Sequence, residues 1–161
     1  MQKVSAVADA LIAKVAERLT RARPAYAASL RPGVSEAELD AFARQFGLVL
    51  PVAFRALYLW RDGSDPEEAD TLTGNLIFSP LAEVTEFKEL LDGMIGSDFE
   101  DPAWWRRGWV PYLHNGAGDH LCLDLGTEDG APGRVLMFYH DEARRPVRAA
   151  SFEAWLEGLA M

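Results

Sequence analysis

The sequence has a single cysteine in 161 residues, Cys122. No disulfide can form within the chain, which fits a reducing compartment. Long apolar runs are missing too. The longest, such as Val135 to Tyr139, fall far short of the roughly eighteen residues a spanning helix needs, which argues against a membrane span. The tight HxxxH or CxxC spacings of strong zinc motifs do not occur, and no internal repeat or low-complexity stretch is present. Basic charge is scarce as well, with 16 Lys and Arg against 25 Asp and Glu for a formal net charge of −9.

The deficit of basic charge is uneven. Residues 1–60 hold eight basic residues against five acids, a net of +3, whereas residues 61–161 hold eight against twenty, a net of −12. Between Asp62 and Asp101 lie twelve acids and one base, Lys88. Such a field repels polyphosphate, which argues against nucleic-acid binding, and it attracts basic partners over a Debye length of about 8 Å at physiological salt. Solubility alone is the plain alternative, because a charge run is often just a solvated face.

What is present suits one globular unit. With 49% apolar residues, a chain of this length hides roughly two thirds of the surface its unfolded form exposes, so neither metal nor disulfide is needed for a core. The opening MQKVSAVADALIAKVAERLTRARPAYA imitates an export signal, yet Asp9, Lys14, Glu17 and Arg18 interrupt what would have to be an uncharged centre. Val7, Leu11, Val15 and Leu19 recur at helical spacing instead, so a helix from Ser5 to Arg23 is expected, stopping before Pro24. Cytoplasm is the expected location.

A second helix has the clearest start signal: Ser35 as N-cap with Glu38 three residues on forms a capping box, and Val34 can staple against Leu39. Gly47 closes it, and Pro51 opens a third helix carrying Phe54, Leu57, Tyr58 and Trp60, ended by Asp62 and Gly63. An acidic loop leads to a short strand at Asn75–Phe78 and a helix at Glu83–Leu91 with Val84, Phe87, Leu90 and Leu91 inward. Residues 92–107 are irregular and carry Trp104 and Trp105. Trp109–His114 and His120–Leu125 then flank the glycine turn Asn115–Asp119 as a hairpin. In the second of these strands Leu121, Leu123 and Leu125 alternate with the polar face His120, Cys122 and Asp124. Arg134–His140 is apolar on both faces, as in a covered central strand. A last strand near Val147–Ala150 precedes Ser151, the N-cap of a helix bearing Phe152, Trp155, Leu156 and Leu159.

The order SxxEL (Ser35, Glu38, Leu39), GLxLP (Gly47, Leu48, Leu50, Pro51), an aromatic helix closing on Trp60 and Asp62-Gly63, then GDHLCLDL, RVLMFYHD and SFEAWLEGL resembles the SUKH superfamily (SMI/KNR-like) from about residue 30 to the C-terminus. The resemblance implies an α+β fold: N-terminal helices, a curved and mainly antiparallel β-sheet, and a C-terminal helix. It gives one domain over residues 1–161, with residues 1–30 as a helical extension and 31–161 as the core. It also implies a protein that works by binding other proteins. Many bacterial members are immunity proteins against polymorphic toxins, and eukaryotic relatives are regulatory or scaffold domains. The tryptophan-rich stretch Trp104–Trp109 and the long first helix depart from the commoner pattern.

Chemistry carried by the residues alone is weaker. His114, His120 and His140 lie at strand ends near Asp119, Asp124 and Asp141, which invites a metal-dependent hydrolase reading; the blander account is that each satisfies a carbonyl or a neighbouring carboxylate. Residues two apart on a strand stand about 6.6–7 Å apart, too far for His120 to activate Cys122, so Cys122 reads as a buried filler. The NGAGD turn lacks the lysine and following helix of a phosphate loop, and Asp119 is expected to cap free amides there. Asp98, Glu100 and Asp101 read as solvated acids with no apolar wall to raise a pKa. No cofactor or metal is therefore expected.

The expectation is an immunity protein that neutralises a cognate toxin, a basic domain, by stoichiometric binding; a regulatory or scaffold module is the alternative. Trp104 and Trp105 are candidate exposed anchors, and Glu67, Glu68, Asp70, Asp98, Glu100 and Asp101 the surrounding electrostatic rim.

Overall fold

The computed structural model describes residues 2–68, 70–126 and 133–161. Among them the chain forms six helices and six strands. Helix α1 (Gln2–Ala22) is followed at once by α2 (Pro24–Ser29), so Pro24 ends one helix and, lacking an N–H that the first turn would leave unpaired, begins the next. Six residues are too few for a periodicity, which is why α2 did not stand out in the sequence. The buried stripe of α1 is Ala8, Leu11, Ile12, Val15 and Leu19, while Val7 is 56% exposed and stands off the expected stripe.

Helix α3 (Glu36–Phe46) starts at the expected N-cap: Ser35 Oγ accepts from the Glu38 amide at 3.1 Å, the half of the expected capping box that is seen among the described residues, and Gly47 closes the helix with φ of +63°. Helix α4 (Val52–Trp60) follows, with Pro51 just before it. Strands β1 (Thr71–Thr73) and β2 (Leu76–Phe78) form a hairpin; β1 falls in the stretch that reads as an acidic loop. Then come α5 (Leu81–Gly93), β3 (Trp109–His114), β4 (His120–Asp124), β5 (Val135–Phe138), β6 (Val147–Ala149) and α6 (Phe152–Leu159). The strands lie side by side in chain order, all antiparallel, as a curled half-barrel meander. The architecture is α+β, with helices at the N-terminus and one at the C-terminus.

Both faces of the central strands are covered. Leu121, Leu123, Val135 and Met137 point into a large core with Val15 of α1, Phe54, Leu57 and Tyr58 of α4, and Phe152 and Leu156 of α6. The alternate residues Cys122, Leu136 and Phe138 join a second cluster with Leu91, Trp105 and Trp109. The polar face expected on β4 is therefore interior, and His120, Cys122 and Asp124 are all buried. Leu90 of α5, expected inward, is 64% exposed.

The inward position on α5 belongs to Lys88, which is completely buried. Its Nζ donates to the carbonyls of Arg107 at 2.5 Å and Trp109 at 3.0 Å, and lies 3.2 Å from the Asp92 carboxylate. Asp92 Oδ1 also accepts from Trp105 Nε1 at 2.8 Å. Burial pulls the Lys88 pKa down from the ordinary lysine value, and Asp92 opposes that shift. A lysine so placed persists only because each of its donors is spent. Together the pair ties α5 to the chain that enters β3 and roots the tryptophan-rich stretch in the fold.

Candidate partner-binding groove

The irregular stretch after α5 is held from two sides. From within, Trp105 packs edge-on against Trp109 and Phe138, with centroids 5.4 and 5.2 Å apart. From the β5–β6 connection, the Arg145 guanidinium donates through Nε and Nη2 to the Trp104 carbonyl at 3.2 and 2.9 Å, and through Nη1 to the carbonyls of Glu142 and Arg144. The same guanidinium lies 4.8 Å from the Trp104 ring centroid and 4.5 Å from that of Phe138. Such cation–π geometry contributes about 0.5–2 kcal/mol per pair.

Beside this clamp opens a groove of about 350 Å³ lined by Asp98, Phe99, Glu100, Asp101, Trp104 and His140. Four of the eight residues expected at an interface thus meet there: Asp98, Glu100, Asp101 and Trp104. The three acids are exposed and Trp104 is half-buried. Asp101 Oδ1 accepts from the Ala103 amide at 2.8 Å, and Asp98 Oδ1 from Ser97 Oγ at 3.2 Å. Among the described residues no Lys or Arg lies within ion-pair distance of the three carboxylates. Other acids do have such partners, for instance Glu17 with Arg21 and Asp40 with Arg55.

Trp105, expected as an exposed anchor, is 1% exposed. Its indole serves the Asp92 and Lys88 network, and a neighbour of opposite orientation, Trp104, is the ring that reaches the surface. Glu67, Glu68 and Asp70 are exposed but lie before β1, at the other end of the strand order from the β5 side that carries the groove. Asp70 is moreover engaged with Arg23 at 3.3 Å, and Arg23 also donates to the Leu72 carbonyl at 3.1 Å. The two acidic groups are separate features. Phe99 and His140 were not expected at the groove; an aromatic flanked by acids on both sides, Asp98-Phe99-Glu100-Asp101, is the signal that could have found the first.

The histidines take carboxylate and aromatic partners. His114 Nε2 is 3.1 Å from Glu83, and its Nδ1 accepts from the Gly116 amide at 3.0 Å. His140 Nδ1 is 2.7 Å from Asp119 Oδ1, which also accepts the His140 amide. The Asp119 hydrogen bond holds the exposed His140 imidazole above the ordinary histidine pKa. Asp119 does not cap the turn amides as expected; Asn115 Oδ1 does, accepting from Ala117 and Asp119. Gly118 holds φ at +100°, and a Cβ there would stand 3.1 Å from His140 Cγ, so a glycine lets the ring lie over the turn. Asp119, His140 and Asp141 bring ligand atoms within 4.8 Å of one another, although Asp119 Oδ1 is already taken up by His140.

His120 is 5% exposed, 4.7 Å from the Phe87 ring and 6.3 Å from His114, with Nδ1 unpartnered among the described residues. Burial first, then the adjacent His114, lowers its pKa to about 4, so the ring is neutral at physiological pH. Cys122 is fully buried, and burial pushes its thiol far above the ordinary cysteine value. It is the filler the sequence suggested.

Fold and groove define a helix-braced antiparallel meander that displays an acidic, aromatic-walled depression beside a buried lysine anchor. No helix among the described residues is long and apolar enough to cross a membrane. The chain belongs to the SMI1 / KNR4 family (SUKH-1), whose family model matches residues 33–158. The match covers α3 to α6 and leaves α1 and α2 outside it. No curated protein sequence matches the chain.

Proposed function

We propose that the chain is a cytoplasmic immunity protein that neutralises a cognate toxin by stoichiometric binding, without catalysing a reaction. The observation that carries this reading is the groove, which unites three carboxylates lacking a cationic partner among the described residues with a half-buried tryptophan. Membership of a family that includes immunity proteins supports it. The partner is a basic domain, drawn in by a net charge of −9 and anchored at Trp104. Glu67, Glu68 and Asp70 act as a second, outlying source of the attracting field.

The test is a pull-down of a basic toxin domain encoded beside this gene, with association rates measured at low and physiological salt. Reversal of Asp98, Glu100 and Asp101 to lysine is expected to slow association by about tenfold or more at low salt, and reversal of Glu67, Glu68 and Asp70 by less. Association unchanged in both triple variants refutes the role of the acids, and a toxin left active in the complex refutes neutralisation.

A further inference from the structure

Three properties of the groove narrow the chemistry of what enters it. It is an open depression of about 350 Å³, large enough to admit one long side chain. Its rim carries Asp98, Glu100 and Asp101, none with a described Lys or Arg in ion-pair distance, the nearby Arg145 being engaged with Trp104 and with backbone carbonyls while feeling the charge of Asp101 from further off. Its wall is aromatic: Trp104 and Phe99 have centroids 6.4 Å apart, tilted at 42°. The molecule already demonstrates what this wall accepts, because the Arg145 guanidinium lies 4.8 Å from the centre of the Trp104 ring.

From these observations we infer that the groove is a receptor for one arginine side chain of the partner, its guanidinium lying against Trp104 and Phe99 and bridged to the carboxylates of the rim. Arginine fits better than lysine on two counts. A planar guanidinium can stack on an indole and donate in parallel to a carboxylate, whereas an ammonium is a compact, strongly hydrated point charge. Desolvating it against an aromatic wall is also less costly, since a guanidinium is the more weakly hydrated of the two. The inference rests on the reading of the chain as a binder of a basic protein and names the residue of that partner that seats here.

The probe is Nα-acetyl-arginine amide, titrated into the full chain while the Trp104 indole N–H and the backbone amides of residues 98–101 are followed by NMR. Nα-acetyl-citrulline amide, which keeps the shape and loses the charge, and Nα-acetyl-lysine amide are titrated alongside. A saturable shift confined to the groove is expected, with arginine binding about fivefold tighter than citrulline and measurably tighter than lysine. The Asp98→Asn, Glu100→Gln double variant is expected to remove most of that preference, and its unchanged spectrum elsewhere reports that the fold is intact. Equal shifts with citrulline, or shifts spread over the surface without saturation, overturn the proposal. If toxin capture survives in a chain that fails this titration, the arginine receptor is refuted and the immunity reading stands; an arginine-selective groove in a chain that captures no toxin supports the receptor and refutes the immunity reading.

Discussion

Acidification offers a quantitative check on the interior of the sheet. His120 lies between Phe87, His114 and Phe138, 5% exposed, and its folded pKa is about 4 against an ordinary 6.5. A histidine whose folded pKa is depressed stabilises the protein above its unfolded pKa and withdraws that support as pH falls from 6.5 toward 4, because the unfolded chain binds the proton that the fold refuses. Over the whole window the difference amounts to about 3 kcal/mol, and between pH 7 and pH 5 to about 2 kcal/mol. Other groups titrate too: hydrogen bonding to His114 holds Glu83 low, while the exposed His140 shifts in the opposite sense under Asp119. The comparison is therefore made against His120→Leu, which keeps an apolar ring-sized filler and every other titrating group. Urea unfolding at pH 7 and pH 5 should show the wild type losing about 2 kcal/mol more than the variant. Equal losses in the two proteins, or an NMR titration of the His120 ring centred near 6.5, refute the argument.

The buried lysine and the inner tryptophan give two further tests. Lys88→Met removes the donor shared by the Arg107 and Trp109 carbonyls and leaves Asp92 without its cation, so a loss of about 3–5 kcal/mol is expected in chemical denaturation; a loss below about 1 kcal/mol would show that the ammonium is dispensable. Trp105→Ala should cost about 3–5 kcal/mol through its cavity and the lost bond to Asp92, against about 1–2 kcal/mol for Trp104→Ala at the half-buried ring, and similar values for the two would contradict their different burial.

Local rules made much of this fold legible. The Ser35 N-cap, the Gly47 stop, Ser151 as a cap and the two strands around Asn115–Asp119 all appear where the sequence puts them, because each depends on a few neighbouring atoms. Residues whose environment is set by distant chain were misread. Lys88 counts as surface charge in any local reading, with Asp92 one turn away as its ion pair, yet the two carbonyls that complete its burial are 19 and 21 residues away. The alternation in β4 correctly separated two faces, but polarity named one of them as outer, and only the arrival of Trp105 and Trp109 makes it inner. Strand β1 is three residues long and escapes notice for the same reason as α2: neither is long enough to establish a period. At the candidate site, the acids and Trp104 were visible as a composition, while their convergence with His140 depends on Arg145 reaching across from a different connection.

The contact between Arg23 and the Leu72 carbonyl bears on how the molecule behaves among its own copies. Strand β1 borders the sheet, and an open border presents main-chain acceptors on which another polypeptide can build an extra strand, the first step toward fibrous aggregates. A guanidinium from beside the first helix already fills one of those acceptors. The meander is thereby blunted where it would otherwise invite self-templating, so the border strand carries its own guard against polymerising with further copies of the chain.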